Sequence, residues 1–415
     1  MLILFKIVIA ISWIAVVFCL LLPVILLRLR VPPQKRSTQD LKAYQLYLLV
    51  PMHIEATIAQ DALAHFLQRN IDTDFQYNIH WVVIEDGSTD LTEDQLRPFD
   101  KRYPNLAVIY RKFQAATGKG MALNAGLDYL RHKVPSTQWS KTIVGVLDAD
   151  GQIASTALLK VLKTFAADAK LDMLQTAVAM TNTKRWLALV QDFEFQVFNT
   201  LLQNLRGHLK NVAGSGNGQF FRLSSLPTKF AWGQTLLEDF EISTKLLLQA
   251  KKTAYAYDLK VYQEATVSWQ AYLRQRTRWV IGGLQCLHQF RKGLGQNQAL
   301  RFGAKVEMFA FMLAAYTTIG LALTNIVALG LQVYLLVSYG RLSLILVAVL
   351  CLGLIMNSML AYIYRVMAQA SVAQAILIVV TLPFYAVLTL PIAISGLLGY
   401  VQHHHNWDKT DHGIL

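Results

Sequence analysis

From Tyr44 to about Tyr262 short apolar runs alternate with amphipathic ones, and after Phe302 polar positions become sparse. Tyr44 to Val50, Ile79 to Glu85, Leu106 to Tyr110 and Ile143 to Leu147 are rich in β-branched and apolar residues and have strand length. Residues 57–69, 88–103, 118–132 and 155–165 carry apolar positions at helical spacing. This alternation predicts a βαβ series and a parallel sheet. Trp269 to Lys305 contains many basic residues and no acidic one, and its apolar positions gather on one face, so it predicts amphipathic helix at a membrane surface.

Phe309 to Tyr339, Leu342 to Tyr364 and Val372 to Tyr400 each reach spanning length, the last interrupted by Pro383 and Pro391. Three crossings would leave the polar tail, 401–415, across the membrane from the α/β domain. The expectation is therefore that one apolar segment is re-entrant or interfacial, or that the first folds as a hairpin near Thr324-Asn325. Residues 1–30 are expected to form an uncleaved anchor, and the basic flank Arg28, Arg30, Lys35 and Arg36 places the α/β domain in the cytoplasm. The expected division is an anchor at 1–30, an α/β domain at 44–265, interface helices at 266–305, membrane helices at 306–400 and the tail.

Composition supports this plan. Of the 415 residues 54% are hydrophobic, too many and too unevenly spread for a soluble enzyme. The formal charge of +13 gathers beside apolar segments with no recognition helix or stacking platform, so it is read as membrane topology and not as nucleic-acid binding. Cys19, Cys286 and Cys351 are too far apart for a metal cluster or a disulfide framework. The His403-His404-His405 run lacks the spacing of a fixed metal site.

Candidate chemistry falls at the carboxyl ends of the strands, where open α/β sheets bind ligands. The strand ending at Leu147 runs into Asp148-Ala149-Asp150-Gly151, and two carboxylates two residues apart can share a hard divalent cation with a phosphate. Taken alone, this tetrapeptide is equally a solvated turn. The first strand brings Glu55 to the same rim, and the second brings Glu85-Asp86-Gly87-Ser88, where a carboxylate can accept hydrogen bonds from a base or ribose and Ser88 can cap a helix. Gly118-Lys119-Gly120 opens a helix with a point charge suited to a diphosphate. Gly214 to Gly218 is a glycine-dense loop running into a strand, as close approach of backbone to a ligand would require. Glu238 and Asp239 open another helix, where acidic residues ordinarily serve the helix dipole but a carboxylate could also act as a general base. In Gln275-Arg276-Thr277-Arg278-Trp279 the indole could stack on a sugar while Gln275 and Arg278 contact phosphate or hydroxyl groups.

EDGSTD at 85–90, GKGMALNAG at 118–126, DAD at 148–150, LED at 237–239 and QRTRW at 275–279 occur in the order found in membrane-embedded family 2 glycosyltransferases. The chain resembles the processive β-glycan synthases of that group, which make cellulose, hyaluronan and poly-N-acetylglucosamine. The resemblance implies a Rossmann-like GT-A domain in the cytoplasm, joined through interface helices to a multi-pass transmembrane bundle in the cell membrane. It implies inverting transfer from a UDP-sugar, UDP-N-acetylglucosamine or UDP-glucose, to a growing glycan, coupled to export and open to an accessory membrane subunit. By that resemblance Glu55, Glu85, Asp86, Lys119 and Asp148 hold the nucleotide sugar, and Asp150 with Asp148 binds Mg²⁺ or Mn²⁺. Asp239 is the base, and Gln275, Arg278 and Trp279 bind diphosphate and acceptor. Two positions depart from the pattern, Glu85 where the family usually has Asp and Leu237 where it usually has Thr. The alternative is a glycolipid synthase that transfers one sugar to a lipid hydroxyl. A non-catalytic scaffold or transporter subunit would not need these motifs together, and Phe309 to Tyr400 lacks the acidic residues many transporters use.

Overall fold

The computed structural model describes residues 31–38, 40–57, 59, 78–100, 102–112, 118–339 and 344–402, with isolated positions between 10 and 29. Most of the expected anchor at 1–30, nearly all of the expected helix at 57–69 and the histidine run of the tail lie outside these residues.

Strands β1 (Gln45–Met52), β2 (Ile79–Asp86), β3 (Leu106–Arg111) and β4 (Thr142–Val146) pair in parallel, as the sequence pattern predicts. With β5 (Leu171–Met180), β6 (Gln219–Arg222) and β7 (Lys252–Gln263) they form a seven-stranded sheet in the order β3-β2-β1-β4-β6-β5-β7. The sheet is not all parallel, because β6 runs antiparallel to both of its neighbours. Val146 pairs with Gln219, so β6 starts where β4 ends and brings the glycine loop to the rim beside Asp148.

Alternate residues of β1 serve opposite faces, as the pleat requires. Leu46, Leu48 and Val50 pack with Leu158, Val161, Leu162 and Phe165 of helix 155–167, whereas Tyr47 and Leu49 pack with Leu123, Leu127 and Leu130 of helix 119–133. Those helices follow a shorter one, so in chain order they are α1 (Thr92–Leu96), α2 (Lys119–Lys133) and α3 (Ser155–Ala167). The expected helix at 88–103 is reduced to α1 and the 3₁₀ turn Arg97–Phe99, since Pro98 removes an amide the helix would need.

Between β5 and β6 lie α4 (Trp186–Phe193), a π-helical turn (Glu194–Asn199) and α5 (Thr200–Leu209). Helix α6 (Glu238–Leu248) precedes β7, and α7 (Trp269–Gln296) and α8 (Phe302–Met312) follow it. The remaining helices are α9 (Ala314–Tyr339), α10 (Leu344–Ala368), α11 (Val372–Val387) and α12 (Thr389–Val401). One apolar cluster joins Phe193 and Val197 to Tyr272 on α7 and to Leu360, Leu382, Tyr385 and Ile392 on α10–α12. The α/β domain and the apolar helices therefore share a core. Arg206 on α5 adds a buried ion pair with Glu307 on α8 at 2.9 Å, and Asn211 donates to the second oxygen of Glu307 at 2.6 Å.

Among the described residues two stretches, Cys351–Ala368 and Val372–Val401, are long and apolar enough to cross a membrane. A third arises only if Phe302–Met312 and Ala314–Leu323, which meet at 69°, are taken as one broken span. The bend falls at Leu313, while α9 runs unbroken through Thr324 and Asn325, so the hairpin expected there does not form.

Candidate active site

The carboxyl rim is laced together by its own loops. The Oγ of Ser88 accepts from the Ile54 amide at 2.9 Å and Thr92 Oγ1 accepts from the Glu55 amide at 2.7 Å, so the β2 loop holds the β1 loop in place. Ser88 is thus not the cap of α1, whose N-terminal position is Leu91. The carboxylate of Glu85 accepts from the amides of Gly87 and Ser88, and the side chain is 1% exposed. It braces the turn and does not reach the cavity wall. Asp86 does reach it, paired with Arg111. Burial pushes the Asp86 carboxyl up, and Arg111 partly opposes the shift.

At the end of β4, Asn217 accepts from the Asp148 amide at 3.2 Å, and Asp150 Oδ2 accepts from the Glu264 amide at 2.9 Å. In the sequence Asn217 carries no signal of this role, since an asparagine among glycines looks like any turn residue. Lys119, at the start of α2, lies 2.6 Å from Asp148 Oδ1 and 3.3 Å from Glu238 Oε1. Burial alone would lower its pKa, but Asp148 and Glu238 outweigh that and hold the ammonium well above the usual lysine range.

Asp239 is 8% exposed and sits in the first turn of α6. Its Oδ1 accepts from the Phe240 amide at 2.7 Å and its Oδ2 accepts from the Gly216 amide. Gly216 has φ +87°, a conformation that turns its N–H toward the carboxylate at low cost only for glycine. Gly214 packs against the same helix turn, and a Cβ there would lie 2.6 Å from the Asp239 carbonyl oxygen. Close backbone approach explains Gly214 against the α6 turn and Gly218 against Thr176 and Val261, while Gly214, Ser215 and Gly216 also line the cavity. Burial, and then the neighbouring Glu238 carboxylate, push the Asp239 carboxyl up to about 6.

Gln275, Arg278 and Trp279 line the cavity from α7. Two further residues that no sequence motif singles out, Arg276 and Glu194, line the same wall. Arg276 Nη1 donates to Glu194 Oε1 at 2.6 Å, and Tyr385 on α11 donates to Glu194 Oε2 at 2.5 Å. The Arg276 guanidinium lies over the Trp279 ring, 4.2 Å from its centroid, and the Phe195 ring meets the indole at a steep angle with centroids 6.1 Å apart. Glu194 opens the π-helical turn, a feature often found at functional sites.

A single cavity of about 1240 Å³ joins these groups. Glu55, Asp86, Lys119, Asp148, Asp150 and Asp239 line its polar part. Its wall continues without interruption onto Phe311 and Met312 of α8 and onto Met356, Leu360, Leu382, Ala386 and Ile392 of α10–α12. A polar ligand at the rim and an apolar one between the helices could meet within it.

A family model described as "Glycosyltransferase like family 2" matches residues 45–282. A beta-monoglucosyldiacylglycerol synthase of Nostoc sp. is 32% identical over 251 residues, covering 58% of this chain and 49% of that protein. The synthase of the same name from Synechocystis sp. is 27% identical over 279 residues, covering 65% and 55%. The chain thus spans about half the length of these curated relatives. Among solved structures, a mannosyltransferase from Pyrobaculum calidifontis in complex with GDP-Man and Mn²⁺ has a TM-score of 0.60 at 17% identity, over 96% of this chain and 99% of that one, a likeness of fold.

Proposed function

The chain belongs to glycosyltransferase-like family 2, and from that premise we propose that it is a glycolipid synthase, transferring one glucose from UDP-glucose to the free hydroxyl of a diacylglycerol. This replaces the expectation of a processive β-glycan synthase. The observation that carries it is the continuity of the cavity from the carboxylate rim to the apolar walls of α9–α12. A sugar polymer is hydroxylated along its whole length and gains little from such walls, whereas a lipid has a polar end for the rim and hydrocarbon for the helices. The names of the two relatives support the same acceptor and sugar. In this reading α10–α12 sit in the bilayer and the rim faces the cytoplasm.

Asp148 and Asp150 fit a Mg²⁺ or Mn²⁺ ion shared with substrate. They would supply two hard carboxylates at the cavity wall, with diphosphate oxygens completing the coordination. When bound, the cation neutralises charge on the leaving diphosphate. Lys119, Gln275 and Arg278 hold that diphosphate, and Glu55 and Asp86 orient the nucleoside. Trp279 orders the acceptor end over the sugar. The lipid hydroxyl oxygen attacks the anomeric carbon from the face opposite the UDP group, its proton passes to Asp239, and the bond to UDP breaks, with inversion. One base suffices, because no covalent enzyme intermediate forms.

The test is purified protein in nanodiscs with UDP-glucose and diacylglycerol, with products separated and weighed by mass spectrometry. One hexose per lipid and one UDP released per glycolipid are expected. Polymeric product, or no lipid product from any of a panel of UDP-sugars, overturns the reading.

A further inference from the structure

Within the apolar part of the cavity one polar side chain stands out. Gly353, Met356, Asn357 and Leu360 follow the i, i+3, i+4, i+7 spacing that puts them on one face of α10, and all four line the cavity. Asn357 is 8% exposed, and no group among the described residues hydrogen-bonds its carboxamide. An unpaired amide is costly among apolar neighbours, and polar residues in membrane helices generally face a pathway or a ligand. Leu, Ile, Met and Val occupy most of the rest of α10, so a cheaper residue was within reach.

We propose that Asn357 hydrogen-bonds an ester carbonyl of the acceptor, and hence that the acceptor is selected as an ester-linked glycerolipid. The inference rests on the glycolipid reading and refines it. In a 1,2-diacylglycerol the free hydroxyl and the nearest ester lie on adjacent carbons. With the hydroxyl at Asp239, the ester and its chain point toward the apolar helices. Ester oxygens only accept hydrogen bonds, and Asn357 Nδ2 donates. A sterol or polyprenol would set hydrocarbon against the carboxamide and leave it unpaired. Gly353, one turn away on the same face, leaves a path for the acyl chain, since a Cβ there would meet nothing within 4 Å.

The experiment uses full-length protein in nanodiscs with 1,2-diacylglycerol and its chain-matched 1,2-dialkylglycerol ether, which keeps the hydroxyl and lacks both carbonyls. The unmodified protein should favour the ester in kcat/KM by about tenfold, the scale of one well-placed hydrogen bond. Asn357→Leu should bring the ester-to-ether ratio close to one. Gly353→Leu should narrow the chain path and shift preference toward shorter acyl chains. Each readout is a ratio within one preparation, so partial loss of folded protein cancels. An unmodified protein that uses ester and ether equally overturns the inference alone, as does an Asn357→Leu ratio that stays at the unmodified value. An unmodified protein that glycosylates neither lipid overturns the inference together with the glycolipid reading, and that outcome is recognisable because both lipid columns are empty before any variant is compared.

Discussion

The Arg276 guanidinium lies 4.2 Å from the centroid of the Trp279 ring, one turn along the same helix, and the Phe195 ring packs against the same indole at an interplanar angle of 77°. The ring is therefore oriented before substrate arrives. If it is a platform for the acceptor end, Trp279→Ala should raise the acceptor KM by roughly fivefold to tenfold, the loss of stacking worth about 1 kcal/mol, while slow hydrolysis of UDP-glucose to water persists. Trp279→Phe should recover part of the loss and Trp279→Leu should not. Equal behaviour of Phe and Leu variants in steady-state kinetics would make the residue a membrane anchor only.

Arg276 is also bound to Glu194, whose other oxygen receives Tyr385. Removing one member of a buried pair strands the other, which costs more than the pair is worth. Glu194 is 30% exposed, so the full penalty is discounted for solvent. Glu194→Ala should lower unfolding free energy by on the order of 2 kcal/mol. Arg276→Met combined with Glu194→Leu should restore most of it. Denaturant unfolding of the single and double variants in one detergent measures both, and a double variant no better than Glu194→Ala would show that the pair is not the cause.

The contrast between Asp150 and Glu194 shows what the chain made legible. Asp148 and Asp150 sit where the apolar run of β4 ends, so strand-end logic places them at the rim before any contact is known, whereas Asp239 opens a helix and is singled out only by the family motif. Glu194 lies in EFQVFN, where a glutamate in an amphipathic run looks solvated, and its partners Arg276 and Tyr385 lie 82 and 191 residues further along the chain. Glu85 shows the reverse. Adjacent carboxylates look alike in sequence, yet Glu85 is held by the amides of its own turn and Asp86 faces the cavity. Antiparallel β6 was hidden for a similar reason, because a strand of four residues shows no direction until it pairs.

Asp150 separates a cation ligand from a loop brace, since its Oδ2 also accepts from the Glu264 amide at 2.9 Å. Asp150→Asn keeps an oxygen for that amide and loses the charge. Glycosyl transfer should fall by roughly 100-fold or more while the melting temperature changes little, and chelator should abolish transfer by the unmodified protein until Mg²⁺ or Mn²⁺ is restored. Full turnover in excess chelator would remove the cation from the mechanism.

Asp239 carries the sharpest pH signature. A base must be ionised to take a proton, and burial followed by the Glu238 charge raises its pKa to about 6. With donor and acceptor well below saturation, kcat/KM should fall tenfold per pH unit below about 6 and level off above it. Asp239→Asn should lower the plateau by roughly 100-fold or more, remove the break near 6, and leave UDP-glucose affinity nearly intact. The same shift acts on folding. A carboxyl whose folded pKa exceeds its unfolded value, about 3.9, contributes stability that is intact below that value and lost as pH rises through the folded pKa near 6. The decline in unfolding free energy between pH 5 and 8 should therefore be smaller in Asp239→Asn than in the unmodified protein. This difference in slope does not depend on any constant offset from the altered hydrogen bonds to Gly216 and Phe240. A pH–rate profile of the variant that keeps its break near 6 would assign the base to another group, and weakened UDP-glucose binding with an unchanged kcat would make Asp239 a structural carboxylate of the α6 turn.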